Sequence, residues 1–393
     1  MSQDSVVIVS AARTPMGGMM GALSDVRSPD LCAAAIKAAV ERAGVSGADI
    51  DEVIMGCVLP AGLGQAPARQ ASRAAGIPDA AGATTINKMC GSGMKAVMLA
   101  HDQIMAGQVD VMVAGGMENM SQSPYLLPKA RAGMRMGHSQ VIDHMFFDGL
   151  EDAYEGGLMG SFAQKSADDF NVTREAMDDF AIGSLNKALA AIESGAFKDE
   201  ITAVTIKSRK GDVVVDTDEQ PGNARMDKIR SLNPAFKKGG TITAANSSSI
   251  SDGGSALVLM KESDAIARGL KPLARIAGHS THAQLPAEFT IAPIGAVEKV
   301  LKKAGWSKDD VDLYEINEAF AVVSMLAISE LGLDANKVNV NGGACALGHP
   351  IGSSGSRILV TLLYALKNAG KSKGIASLCI GGGEATAVAV EML

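Results

Sequence analysis

The sequence predicts an α/β protein in which one layered unit is used twice, the first copy carrying a long insertion. Three observations lead there. Gly107-Gln-Val-Asp-Val-Met-Val-Ala-Gly-Gly-Met-Glu118 is echoed by Gly374-Ile-Ala-Ser-Leu-Cys-Ile-Gly-Gly-Gly-Glu384, and Ser46-Gly-Ala-Asp-Ile-Asp-Glu-Val-Ile54 by Ser307-Lys-Asp-Asp-Val-Asp-Leu-Tyr-Glu315. Of 393 residues, 47% are hydrophobic but only 4% aromatic, so the cores consist of small aliphatics and Met, which suits helices layered on sheets. After Glu384 the second half runs straight into an apolar strand at 387–390, whereas the first reaches its counterpart, Ser255-Ala-Leu-Val-Leu-Met260, only after residues 121–249. The division that follows is a first half, 1–120 with 250–272, an inserted segment, 121–249, and a second half, 273–393.

Length and charge limit the classes open to this chain. It is too long for one ordinary core and requires two or more domains. A net charge of −7 argues against a general nucleic-acid or membrane-surface role, while Arg131 and Arg135 remain available to an anionic ligand. Five cysteines, an odd number without paired spacing, indicate a reducing compartment and no disulfide framework. Val6-Val7-Ile8-Val9 already reads as a strand, which leaves no room for a signal peptide, and no apolar run approaches the length of a membrane span. The expectation is a soluble cytoplasmic protein.

In the first half, the apolar, β-branched residues 83–86 predict a buried strand, and helical spacing follows over 94–105. Between them lies Asn87-Lys88-Met89-Cys90-Gly91-Ser92-Gly93, which puts a thiol on a strand-to-helix turn. Free N–H groups and the positive helix end there favour a thiolate, and Gly91 and Gly93 let another backbone or a substrate approach. Cys90 is therefore a candidate nucleophile. The insertion holds a Met/Gly/Arg-rich stretch at 130–137, a helix at 173–194, and Asn233-Pro-Ala-Phe236 before Asn246-Ser-Ser-Ser249. A region this long with so little regular pattern reads as a functional cap, an oligomerisation arm or a solvated surface being the alternatives.

The second half adds three clusters. Asn341-Gly-Gly-Ala-Cys-Ala-Leu-Gly-His349-Pro-Ile-Gly-Ser-Ser-Gly-Ser356 places a histidine in a glycine-rich turn at roughly the repeat position of Cys90, with Pro350 limiting where the ring points, so His349 is a candidate base. Cys379 ends the strand pattern at 375–380 and is followed by Gly381-Gly382-Gly383, a tight turn with bare N–H groups. Asn317, after a short apolar strand, reads on its own as an ordinary helix cap.

In order and spacing these clusters, together with Val9-Ser-Ala-Ala-Arg13-Thr-Pro15, Gly64-Gln65, Ala68-Arg69-Gln70, Ala114-Gly-Gly-Met-Glu118-Asn-Met-Ser121 and Asn317-Glu-Ala-Phe320, closely resemble the thiolase family over essentially the whole chain. The resemblance implies a duplicated α-β-α-β-α-layered fold whose halves pack face to face. It also implies an inserted loop domain that covers the active site and binds coenzyme A, and a dimer or, as favoured here, a homotetramer. It implies a ping-pong Claisen condensation of two acetyl-CoA, or thiolysis in reverse, with an acyl group on Cys90, His349 accepting its proton and Cys379 acting on carbon. A water held by Asn317 would join His349 in one oxyanion hole, and the N–H groups of Cys90 and Gly381 would form another.

Coenzyme A contacts implied by the same match are Ser248 and Ala244 in the loop 244–248, with Leu150, Met159, Phe236 and Phe320 at apolar positions. No permanently bound cofactor is expected, only acyl-CoA and CoA as substrates. Leu158 replaces a His of several bacterial members, and Pro221 stands where potassium-dependent members have Tyr, so no monovalent ion is expected. No metal site is expected, because His279 and His282 lack Cys or carboxylate partners at ligand spacing. Phe289 resembles acetoacetyl-CoA thiolases that narrow the acyl pocket; a broader 3-ketoacyl-CoA thiolase is the alternative. A decarboxylating ketoacyl synthase would show a second His in place of Asn317, and a non-catalytic carrier would lack one of Cys90, His349 or Cys379.

Overall fold

The computed structural model describes residues 4–209 and 211–393. Its first strand, β1 (Val6–Arg13), is buried along its whole length, because every one of its edges and faces is covered. β1 pairs antiparallel with β5 (Ser251–Lys261) on one side and with β6 (Ala274–Ala283) on the other, so it joins the two copies into a single sheet of nine strands, to which the two-residue segment Gly17–Gly18 adds a tenth beside β5. On the first copy's side the sheet continues from β5 to β4 (Val111–Asn119), then parallel to β2 (Glu52–Gly56) and β3 (Gly82–Ile86). On the second copy's side it continues from β6 to β9 (Glu384–Met392), β8 (Lys373–Ile380) and β7 (Leu313–Ile316).

The duplication repeats down to single hydrogen bonds. Ser46 and Ser307 each form a reciprocal capping box, with Asp49 and Asp310 respectively, before β2 and β7. Asp51 then accepts from the backbone N–H groups of Asp110 and Val111, while Asp312 accepts from those of Ser372 and Lys373. In each copy, therefore, one carboxylate sets the register between neighbouring parallel strands.

Residues 83–86 do not form the buried strand expected of them. β3 is the sheet edge, paired only with β2, and its burial alternates between exposed and half-buried. Its counterpart in the second copy shrinks to a bridge between Tyr314 and Val338.

Helices complete five layers, which belong to the whole core and are shared between the halves. α1 (Ser28–Ala43) and α2 (Pro67–Ala74) cover the outer face of the first copy, and α6 (Ala292–Ala304) and α7 (Ala321–Leu331) that of the second. Between the two sheet regions α3 (Ser92–Met105) packs against α8 (Ile351–Ala369). A central layer has no solvent face, and accordingly α8 is buried at every position from Ile351 to Leu366. Small residues bring these helix starts together: a Cβ on Gly93 would lie 2.5 Å from Ser356 Oγ, and one on Gly355 would lie 2.5 Å from the Met94 nitrogen. The positive ends of two helices from different copies thus meet.

Between β4 and β5 the chain forms α4 (Met159–Asp169), α5 (Arg174–Ser194), short hairpins and connecting loops. Thr173 caps α5 by accepting from the Ala176 N–H. Buried Arg13 anchors this segment to β1 through a bidentate pair with Asp218, at 2.7 and 2.8 Å, and a further contact to Glu200. None of the helices among the described residues is long and apolar enough to cross a membrane.

Candidate active site

Cys90 sits one residue before the Gly91 cap of α3, as the strand-to-helix reading requires. The turn is strained, with Met89 at a φ of 47°. Asn87 Oδ1 accepts from the Met89 N–H at 2.8 Å, while Ser92 Oγ accepts from Lys88 N–H and donates to the Met89 carbonyl. Gly91 packs closely against the end of β8: a Cβ there would fall 2.3 Å from Ile380 Cδ1, so the Ile380 side chain would have to shift. The turn after β8 brings the Gly381 N–H onto the Cys90 sulfur.

The charge state of Cys90 differs from the sequence expectation. The N–H groups of Gly381 and Cys90 do favour the thiolate, but burial outweighs them and pushes the thiol up to about 11, with Glu118 adding to the rise. The resting group is a thiol, and helix-end electrostatics alone do not ionise it.

His349 follows Gly348, which has a φ of 107°, and its own N–H is held by the Ser249 carbonyl and Ser251 Oγ. Its Nδ1 lies 2.6 Å from Ser354 Oγ, whose hydroxyl donates to the Pro350 carbonyl at 2.9 Å. Nε2 is buried without a protein partner among the described residues. Burial, followed by the charge of Arg357, lowers the imidazole to about 3, so the ring is neutral. Cys379, at the end of β8, is 1% exposed, and burial raises its thiol well above the ordinary value, with Cys90 contributing.

Cys90, His349, Cys379 and Gly381 line one cavity of about 240 Å³. Of the implied ligand contacts, Ser248, Leu150, Met159, Phe236 and Phe320 line it too. Ala244 does not; it lines a second cavity with Arg225 and Lys228, and Ser249 borders both. Asn317 is buried and does not line the cavity that its neighbours Ala319 and Phe320 border, and both its amide atoms lack a protein partner among the described residues. Phe289 packs edge-on against Phe320 with ring centroids 6.3 Å apart, closing the apolar end together with Phe236.

Sequence reasoning missed several groups. Met120, Phe146, Ile250 and Ile351 line the cavity, and nothing in their local pattern distinguishes them from ordinary core. Glu118 entered only as part of a motif. Its buried carboxylate accepts from the N–H groups of Val58, Leu59 and Gly352, linking β4 to the start of α8, and desolvation raises it to about 7. The sequence signal was a carboxylate inside a strand otherwise made of small and apolar residues. His279, which has no carboxylate at ligand spacing along the chain, has one in space: Asp102 on α3 lies 2.9 Å from it. Spacing along the chain cannot detect partners that come from opposite halves.

A thiol and an imidazole lone pair that line one apolar cavity, with backbone N–H groups at the sulfur, suit attack on a carbonyl and stabilisation of the resulting oxyanion. The comparisons with known proteins agree with this chemistry. Residues 6–263 match the thiolase N-terminal domain and residues 270–392 the thiolase C-terminal domain. The chain is 51% identical to acetyl-CoA acetyltransferase of Cupriavidus necator over 388 residues, covering 98% of this chain and 99% of that one. It is likewise 51% identical to the acetyl-CoA acetyltransferase of Escherichia coli K12 over 389 residues, covering 98% and 99%. The crystal structure of the Bacillus anthracis acetyl-CoA acetyltransferase superposes with a TM-score of 0.97 at 44% identity, covering 100% of this chain and 99% of that one. By sequence and by fold this chain belongs to the thiolase family.

Proposed function

We propose that the protein is an acetyl-CoA C-acetyltransferase that joins two acetyl-CoA into acetoacetyl-CoA and CoA, or runs the reverse thiolysis. The observation that carries this reading is the meeting of Cys90, His349 and Cys379, from three separate elements, on one apolar cavity. In the first half-reaction Cys90 Sγ attacks the thioester carbonyl and its proton passes to His349 Nε2. The tetrahedral oxyanion is held by the N–H groups of Cys90 and Gly381. As the carbon–sulfur bond breaks, the departing CoA sulfur takes the proton of Cys379, leaving an acyl-Cys90, a Cys379 thiolate and a His349 imidazolium.

The second acetyl-CoA then loses a methyl proton to Cys379. Its enolate oxygen is stabilised by His349 and a water held by Asn317, whose unpartnered amide suits that task. The enolate carbon attacks the acyl-enzyme, Cys90 leaves as thiolate, and the imidazolium proton restores its thiol. All three groups return to their resting protonation, which suits a site whose burial disfavours lasting charge. No permanently bound cofactor takes part; CoA and its thioesters are substrates.

The second cavity, with Arg225 and Lys228, is suited to the phosphates of CoA, while Ser248 and the apolar wall take its pantetheine arm. In this reading residues 121–249 form a loop domain over two thiolase halves, 1–120 with 250–272 and 273–393. Homotetramer assembly is supported by the unpaired outer edge of β3 and by exposed Tyr125, Leu127, Met136 and Val141 on the inserted arm. A cytoplasmic location is consistent with five free cysteines, two of them reactive in this scheme.

The deciding experiment is thiolysis of acetoacetyl-, 3-ketohexanoyl- and 3-ketodecanoyl-CoA, with Cys90→Ala as control. Activity concentrated on the shortest substrate supports the acetyltransferase; equal or higher kcat/KM on the longer ones identifies a broad 3-ketoacyl-CoA thiolase instead.

A further inference from the structure

Away from the active site, three metal-capable side chains converge where the two halves meet. His101 and Asp102 lie near the C-terminal end of α3, from the first copy, and His279 lies in the middle of β6, from the second. Asp102 Oδ1 is 3.1 Å from His101 Nδ1 and 2.9 Å from His279 Nε2, and the two ring nitrogens are 3.2 Å apart. The rings stand edge-on at 82° with centroids 4.9 Å apart, and one ligand atom from each of the three residues lies within 4.8 Å of the other two.

Hydrogen bonding alone accounts poorly for this triangle. If both nitrogens donate to Asp102, two N–H groups face each other across the third side; if one does not, one side lacks a proton. A cation removes the conflict. Zn–N and Zn–O bonds of about 2.0–2.2 Å place ligand atoms about 3.3 Å apart in a tetrahedron, and neighbouring octahedral positions are about 3.0 Å apart. All three sides of the triangle are close to these values.

The strand dictates the arrangement. Ser280 Oγ donates to the Ala296 carbonyl on α6, and a Cβ on Gly278 would face Lys303 of the same helix, so alternation turns His279 to the opposite face, toward α3. Lys303 donates to the His279 carbonyl at 2.9 Å. The two histidine side chains are 19% and 14% exposed and Asp102 is 53% exposed, which leaves an entry path and room for water as a remaining ligand.

We propose that His101, Asp102 and His279 bind one divalent transition-metal ion of the Zn²⁺ class, and that this ion pins α3 of the first half to β6 of the second. Its role is to hold the halves together, and it takes no part in acyl transfer.

The test is titration of chelator-stripped, full-length protein with Co²⁺, read by visible absorption, followed by displacement with Zn²⁺. One Co²⁺ per chain is expected, with binding weakened at least tenfold in His279→Gln and Asp102→Asn while thiolysis is unchanged in both. Zn²⁺ should raise the melting temperature of the unaltered protein and leave that of Asp102→Asn where it was. The proposal is overturned if the unaltered protein binds no Co²⁺, if His279→Gln binds it equally well, or if Cys90→Ala abolishes binding, which would place the metal on the active-site thiols.

Discussion

The hydroxyl of Ser354 fixes which nitrogen of His349 carries the proton. Because Ser354 donates to the Pro350 carbonyl, it accepts at 2.6 Å from His349 Nδ1, so the ring is an Nδ1–H tautomer with its Nε2 lone pair free. In the proposed cycle that lone pair takes the Cys90 proton. Ser354→Ala removes one buried hydrogen bond, about 1–1.5 kcal/mol, and the acylation rate should fall roughly tenfold with KM little changed. Pre-steady-state release of CoA measures this, and an undiminished burst would remove Ser354 from the mechanism.

Alkylation should report the neutral resting pair. With Cys90 pushed up to about 11 and His349 down to about 3, the free enzyme holds thiol and imidazole, not an ion pair, across the range between. Iodoacetamide inactivation should therefore accelerate steadily from pH 7 to pH 10 without levelling off near neutrality. A plateau by pH 7 would mean that the thiolate is already formed at rest.

Glu118 gives stability a pH dependence opposite in sign to that of His349. Its folded value of about 7 exceeds an unfolded value of about 4.3, so between these the folded state binds more protons and stability falls as pH rises. The difference corresponds to roughly 4 kcal/mol. His349, depressed in the fold, contributes stability that grows as pH rises toward its unfolded value of about 6.5. Denaturant midpoints of the unaltered protein and Glu118→Gln, compared at pH 5 and pH 8, isolate the first effect: the advantage of the unaltered protein should shrink at the higher pH.

Gly116 sets how closely β4 approaches α8. A Cβ there would lie 2.0 Å from the Gly352 carbonyl oxygen, a backbone atom that no rotamer change can move. Gly116→Ala should cost about 1–3 kcal/mol or more, lower the melting temperature by several degrees, and reduce turnover even where the fold survives. A fully active, equally stable variant would contradict the close approach.

Opening the acyl end should change selectivity. Phe289→Ala removes a ring that is 2% exposed beside Phe320. The ratio of kcat/KM for 3-ketohexanoyl-CoA over acetoacetyl-CoA should rise about tenfold or more, in line with about 1–3 kcal/mol for one methylene in an apolar pocket. Global stability should drop as well, since a buried aromatic is truncated.

Much of this site was legible because its chemistry lies at the ends of elements. The turn before α3, the turn before α8 and the glycines after Cys379 each show as a reactive residue flanked by glycine or proline. The repeat related only the Cys90 and His349 turns; that Cys379 joins them followed from the resemblance to the thiolase family. What the residues hid was solvation: the same turn that offers N–H groups to Cys90 also buries it, and burial is set by neighbours hundreds of positions away. The edge position of β3 was hidden for a related reason, since β-branched residues at 83–86 suit a strand whether one or both of its sides are paired. His279 and Asp102 were invisible as a pair because one belongs to each half.

Because the helix starts that carry Cys90 and His349 occupy matching places in the two copies, an association of two identical half-length chains would bring together two identical turns. Such an assembly could offer a pair of thiols or a pair of imidazoles, but never one of each. In the proposed mechanism the single chain lets the two turns differ, one supplying the attacking thiol and the other its proton acceptor. Separating the halves genetically would preserve the chemistry only if two different polypeptides were made together.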